Sequence, residues 1–238
     1  GKCYMSLVTT NASANRGACL QNCRASYKVI DEETGQELVI DNKYIMSPKD
    51  LCTIGFLDKL IGVGIKVLKL EGRGRSEDYV YEVTRTYREA VDSVLNGTYS
   101  EKKIKQWTER LEGIFNRGFW HGGYYLGNKL GEWSGAYGNQ SKKEKVFIGI
   151  ARHYFPKTKI GEFLLQSDEI KMGDEILITG KTTGIIKQRV NSLYVDEKST
   201  EKAIKGDIIT LMVNERIRKN DKIYVIKDRF KIQNNLKR

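Results

Sequence analysis

The residues of this chain with the most chemistry in them are its four cysteines. Cys3, Cys19 and Cys23 fall within the first two dozen positions, and Cys52 follows soon after. Fifteen residues separate Cys3 from Cys19, three separate Cys19 from Cys23, and twenty-eight separate Cys23 from Cys52. A thiol-rich stretch in an otherwise cysteine-free chain reads as a metal or redox site, or as buried thiols without chemistry. Structural zinc modules offer two tight pairs, and only Cys19/Cys23 is tight here. Iron–sulfur clusters accept looser spacing, because loops can bring four thiolates around a cubane. The metal reading is favoured, and Cys52 is expected early in a helix, where the dipole stabilises a thiolate.

A second group is Lys69, Glu71, Arg73 and Arg75, at and just past the end of a predicted strand. Lys69 alternates with Leu68 and Leu70, so it can project into the mouth of a barrel, the edge where α/β barrels place their chemistry. Gly72 and Gly74 flank Arg73 and permit close backbone approach to a ligand, and two arginines suit a carboxylate or phosphate. The same residues would serve equally as a solvated turn with a salt bridge. His121 stands among Phe119, Trp120, Tyr124 and Tyr125. It reads as a general base or as a packed ring with one hydrogen bond, the second being the commoner use. The aromatics around it could stack bases, though core packing is again commoner. There is no His-Glu-x-x-His and no Gly-x-Ser-x-Gly, and His121 and His153 are the only histidines.

The elements that must position these groups follow from periodicity. Residues 1–24 are small and polar and read as loop. Ala25 to Ile30 and Glu37 to Ile40 read as two strands about an exposed turn at Asp31–Gln36, and Tyr44 to Met46 as a short buried strand. Ser47-Pro48-Lys49-Asp50 carries a helix-start pattern, with Ser47 as N-cap, and Leu51, Ile54, Leu57, Leu60 and Ile61 repeat at helical spacing. Ile65 to Leu70 reads as a strand, and Ser76 opens a helix that ends at Asn96-Gly97. Strand, helix, strand, helix is a parallel α/β order, like the last part of a larger, TIM-like α/β barrel. A further helix spans Ser100 to Phe115, and an aromatic, glycine-rich stretch leads through Trp133 and Tyr137 into a polar linker. Beyond it, Val146–Ala151, Ile160–Gln166, Glu175–Thr179, Ile185–Val195, Asp207–Val213 and Lys222–Ile226 read as short strands, for which a small closed barrel is the economical arrangement. The expected fold class is therefore α/β followed by all-β. Residues 1–138 would be the barrel portion with its helical extension, 139–144 the linker, and 145–238 the small β-barrel with a basic tail.

The net charge of +11 is uneven. Residues 1–141 hold 19 Lys+Arg against 17 Asp+Glu, and residues 142–238 hold 22 against 13. A basic C-terminal module points to a polyanionic partner such as RNA, or to a solvated lysine-rich surface. No apolar run reaches the length of a membrane span and no charged-then-apolar leader opens the chain, so a cytoplasmic protein is expected. The chain opens on glycine rather than methionine, which reads as a fragment of a longer protein.

Six blocks carry a family pattern. Gly1-Lys-Cys-Tyr-Met-Ser, Asn15-Arg-Gly-Ala-Cys-Leu-Gln-Asn-Cys-Arg24, Met46-Ser-Pro-Lys-Asp-Leu51, Leu68-Lys-Leu-Glu-Gly-Arg73, Tyr87-Arg-Glu-Ala90 and Asn116-Arg-Gly-Phe119 together resemble the collagenase-like peptidase U-32 family, over about residues 1–127. The C-terminal segment resembles the small β-barrel of that family, itself similar to domain 2 of translation elongation factors. The resemblance implies an α/β barrel that begins upstream of Gly1. It implies proteolysis of collagen-like chains by the family's name, or hydroxylation of transfer RNA, ribosomal RNA or ubiquinone by several bacterial relatives, some with a 4Fe-4S cluster. On that likeness Cys3, Cys19 and Cys52 match ligand positions, and Cys23 matches a recurrent cysteine of less certain role. A further family cysteine lies before the Gly-Lys-Cys block. Lys69, Glu71 and Arg73 would be catalytic residues positioning a small anionic co-substrate, with Arg75, Arg117 and His121 binding substrate.

Overall fold

The computed structural model describes residues 3–13, 16, 18–38, 46–72, 74–121, 135 and 138–229. Tyr44, Ile45, Arg73, Tyr124, Tyr125, Trp133 and Tyr137, to which the sequence assigned strand, site or aromatic roles, lie outside them. The chain divides into two compact units, Gly1–Ser141 and Lys142–Arg238.

The first unit opens with a helix where the composition predicted loop: α1 spans Tyr4–Thr10. Cys3 caps it, its Sγ accepting the Ser6 N–H at 3.5 Å, and Asn11 ends it in the left-handed conformation with φ 49°. A short 3-10 turn, Asn22–Arg24, holds Cys23. The expected hairpin forms from β1 (Val29–Ile30) and β2 (Glu37–Leu38), antiparallel, with the Asp31 carboxylate accepting the Glu33 and Thr34 N–H groups in its turn.

The helix expected from Ser47 does not start there. Asp50–Leu51 is instead a two-residue strand, β3, paired parallel with β4 (Phe119–Trp120). Only after Cys52 does the chain turn helical, through a 3-10 turn at Ile54–Phe56 into α2 (Leu57–Gly62). Residues 65–70, read as a strand, carry no regular secondary structure. Helix α3 (Glu77–Leu95) follows its cap at Ser76 with Glu77 and Asp78 in the first turn, where acids complement the dipole. Gly97 stands just past its end with φ 66°, a conformation costly for other residues. Helix α4 (Glu101–Glu112) packs on α3, placing Trp107 and Leu111 in one core with Cys52, Ile54, Leu57, Tyr87 and Ala90. Arg110 of α4 binds Glu82 at 2.9 Å and Glu89 at 2.6 Å, which satisfies the otherwise buried Glu82.

The second unit is a large antiparallel sheet. Its strands are β5 (Lys143–Phe155), β6 (Ile160–Leu165), β8 (Glu175–Gly180), β9 (Gly184–Arg189), β10 (Tyr194–Val195), β11 (Lys198–Ser199), β13 (Ile208–Met212) and β14 (Lys222–Asp228). Their spatial order is β11-β10-β13-β6-β5-β14-β8-β9, and β7 (Glu169–Lys171) pairs separately with β12 (Lys202–Ile204). All six predicted strands are present. The one read as Ile185–Val195 is broken, because Val190 leaves the ladder to donate its N–H to the Asp174 carbonyl. Alternation sets the inner face: Phe163 and Leu165 of β6, Ile209 and Leu211 of β13, and Ile223 and Val225 of β14 are all buried in one cluster.

Candidate functional site

The short parallel ladder in the first unit organises a cleft. The Asp50 N–H donates to the Gly118 carbonyl at 2.9 Å and the Cys52 N–H to the Trp120 carbonyl at 2.8 Å, which ties residues 50–52 to 118–120. Arg117 is thereby set against Asp50. Its backbone N–H reaches one carboxylate oxygen at 3.0 Å and its guanidinium the other. The pair is largely shielded, and the Arg117 Nε is buried with no hydrogen-bond partner.

Two more guanidiniums approach this pair. Arg75 stacks its guanidinium 3.9 Å from the ring centre of Phe115 and 5.5 Å from that of Tyr79. Arg24 reaches the Met46 carbonyl at 3.4 Å and the Ser47 hydroxyl at 3.5 Å. Burial, and then the positive charge of Arg117, pushes the pKa of both Arg24 and Arg75 down. Like charges crowded out of water have this effect, and an anion arriving among them would relieve it. Burial, and then Asp50, pushes the Tyr79 phenol up, so its hydroxyl stays a hydrogen-bond donor.

Lys69, Glu71, Arg75 and Arg117 line one cleft of about 760 Å³, which Cys19, Cys23 and Cys52 also line. Of the predicted site residues, the fold thus gathers seven in one place. Cys3 does not line it, and His121 is exposed, its ring edge-on to Phe119 at 6.4 Å. Arg24, Asp50 and Tyr79 line it without having been singled out from the sequence. The signal for Arg24 and Asp50 was present, since both fall inside the family-like blocks.

The cysteines are all free thiols. The Cys19 Sγ accepts the Gln21 N–H at 3.3 Å. Cys52 is buried, and burial pushes its thiol pKa up, so the helix-dipole effect expected for it is absent: it precedes the helical turn and sits in an apolar core. Tyr87 beside it is pushed up to about 12, by burial first and by Cys52 second. Among the described residues no three His, Cys, Asp or Glu side chains stand together so as to hold a metal ion. What the cleft offers is an excess of positive charge with a protonated phenol beside it.

The class defined is a mixed helix-and-strand unit with a cleft lined by more basic than acidic side chains, followed in sequence by an antiparallel sheet unit. Residues 1–135 match the family model for peptidase family U32, and the chain belongs to that family. It is 50% identical over 224 residues to a collagenase of Porphyromonas gingivalis, covering 94% of this chain and 54% of that protein. An uncharacterized protease of Methanocaldococcus jannaschii is 38% identical, over 96% of this chain and 56% of its own length. A tRNA hydroxylation protein, P1, of Bacillus subtilis is 30% identical, over 84% of this chain and 48% of its own length. The chain therefore spans about half the length of these relatives. No helix among the described residues is long and apolar enough to cross a membrane.

Proposed function

We propose that this chain is the co-substrate-binding and RNA-holding portion of a U32-family enzyme that hydroxylates RNA without molecular oxygen. The observation that carries the reading is the set of three guanidiniums, Arg24, Arg75 and Arg117, lining one cleft, with the Asp50 carboxylate held on Arg117. Such a site binds and orients a small anion: Arg75 and Arg117 bind its carboxylate or phosphate, Asp50 fixes Arg117, and the Tyr79 hydroxyl donates a hydrogen bond. Lys69 and Glu71 flank the reacting end. The relationship to a tRNA hydroxylation protein and the basic second unit support RNA as the acceptor.

The full-length protein is proposed to hold a 4Fe-4S cluster, a reading supported by three free thiols among the residues lining the cleft, Cys19, Cys23 and the buried Cys52. Leu68 and Leu70 pack on the core of the first unit with Lys69 exposed between them, the alternation of a barrel strand. The second unit is read as a small barrel like translation-factor domain 2.

A peptidase acting on collagen-like chains is the second reading, favoured by the 50% identity to a collagenase. Against it, no histidine lines the cleft among the described residues, and Cys52 is held as a thiol by burial. Deleting the gene and profiling total RNA by nucleoside mass spectrometry separates the two. Loss of one hydroxylated nucleoside is expected, and an unchanged RNA profile together with gelatin cleavage by the purified protein would replace this reading with the second.

A further inference from the structure

The outer face of the large sheet carries exposed large apolar groups beside polar ones. Cross-strand register puts Met212 of β13 beside Ile160 of β6 and Ile160 beside Phe155 of β5. The next row runs Tyr194, Thr210, Glu162, His153 over β10, β13, β6 and β5. Side chains directly paired across strands share a face, so these two rows form one surface. Phe155 is 43% exposed, Tyr194 41% and Met212 50%, high values for large apolar groups, and the His153 ring packs edge-on to Phe155 at 4.6 Å. Glu162 is the acid in these rows, and Arg152 stands 3.7 Å from it.

The loops at one end of this face, residues 156–159 and 214–220, carry five cations and one acid, Glu215. The β5–β6 turn, which begins immediately after Phe155, carries Lys157 and Lys159, and the Lys159 carbonyl accepts the Val213 N–H. That bond brings the loop holding Arg216 and Lys219 to the same end of the sheet. Among the described residues none of these four cations has an ion-pair partner, whereas Lys143, Lys171, Lys187, Lys202 and Lys227 elsewhere in the unit do. Exposed rings on a sheet face beside unpaired cations match the two requirements of a single-stranded nucleic acid, a stacking surface for bases and positive charge for phosphates. A neutral proline-rich peptide would use the rings but not the cations.

We infer that the outer face of β5, β6, β13 and β10 is a docking surface for unpaired RNA, with Phe155 and Tyr194 as stacking platforms and Lys157 and Lys159 as phosphate contacts. Three strand spacings and a two-residue offset along the strands place Tyr194 and Phe155 about 16 Å apart, so they would engage different nucleotides. The inference rests on the reading of RNA as acceptor given above, and locates it.

The test is fluorescence anisotropy of a 12-nucleotide fluorescein-labelled oligouridylate with the full chain and its variants. Phe155→Leu/Tyr194→Leu, which keeps apolar bulk and removes the rings, is expected to weaken binding about tenfold or more with an unchanged salt slope. Lys157→Gln/Lys159→Gln is expected to weaken binding and to flatten the salt slope by about 1.4. If the chain binds oligouridylate and the ring variant binds equally well, this face is not the platform, while the RNA reading stands. If the unaltered chain binds neither oligouridylate nor transfer RNA, the RNA reading falls and this inference with it. Should the ring variant lose its circular-dichroism signature, ultraviolet crosslinking of the unaltered chain decides. Crosslinks in residues 147–165 and 194–212 are expected, and crosslinks confined elsewhere overturn the inference. Displacement of the RNA by a (Gly-Pro-Pro) repeat peptide at equal concentration would also overturn it.

Discussion

Asp50 does two jobs with one carboxylate. It accepts the Arg117 backbone N–H and holds the Arg117 guanidinium, so it sets both the ladder and the cleft charge. Asp50→Ala leaves a shielded guanidinium without its counter-charge and is expected to lower stability by about 3 kcal/mol, measured by urea unfolding. Arg75→Ala removes a ring-stacked cation from the cleft wall, and its expected stability cost is within about 1 kcal/mol while anion affinity falls at least tenfold. The Tyr87–Cys52 contact predicts the pH behaviour. Both groups have folded-state pKa values above their ordinary ones, so the neutral forms favour folding. That contribution is complete below the ordinary values and is lost as pH rises toward about 12, the Tyr87 value. Melting temperature should fall steadily above about pH 10, where tyrosine ordinarily begins to ionise, and Tyr87→Phe should flatten that fall.

At the scale of elements, local signals were legible and non-local ones were not. Helix α3 could be read because its cap, its first-turn acids and its terminal Asn96-Gly97 are all neighbours in sequence. The Ser47-Pro48-Lys49-Asp50 pattern misled because its resolution lies 67 residues away: Arg117 takes the Asp50 carboxylate and residues 118 and 120 take the backbone N–H groups. Helix α1 was hidden by the small, polar run at residues 9–17 that overlaps its end, and by its cap, a thiol outside the usual Ser, Thr, Asp and Asn. In the cleft, Lys69, Glu71 and Arg75 were found from a strand-end pattern, whereas Tyr79 had only its helical periodicity to show. The sheet unit was legible strand by strand because alternation is a local property. Its tight spots were not: a Cβ at Gly149 would collide with the Leu164 carbonyl, where β5 and β6 pair. Gly149→Ala is expected to cost about 3 kcal/mol, or to give insoluble protein, with the cost read from denaturant midpoints.

For the molecule as a whole, charge asymmetry is the property that bears on the proposed RNA partner. The first unit is nearly neutral and concentrates its positive charge in a cleft, while the second is broadly basic. If about four phosphates are neutralised, RNA affinity should fall about fiftyfold between 50 and 200 mM salt. A collagen-binding protein would show no comparable slope. The cleft and the cysteines that open on it come from blocks spread over residues 19–119, so the site is a property of the folded unit rather than of any one motif.

The most direct test complements a deletion strain with the full-length protein, unaltered or carrying Arg75→Ala/Arg117→Ala, and measures hydroxylated nucleosides in total RNA. The account predicts restoration by the unaltered protein and loss of at least nine-tenths of the modification in the variant, at equal protein level. Full restoration by the variant would contradict the cleft's role, and a deletion strain with no missing nucleoside would contradict the RNA reading itself.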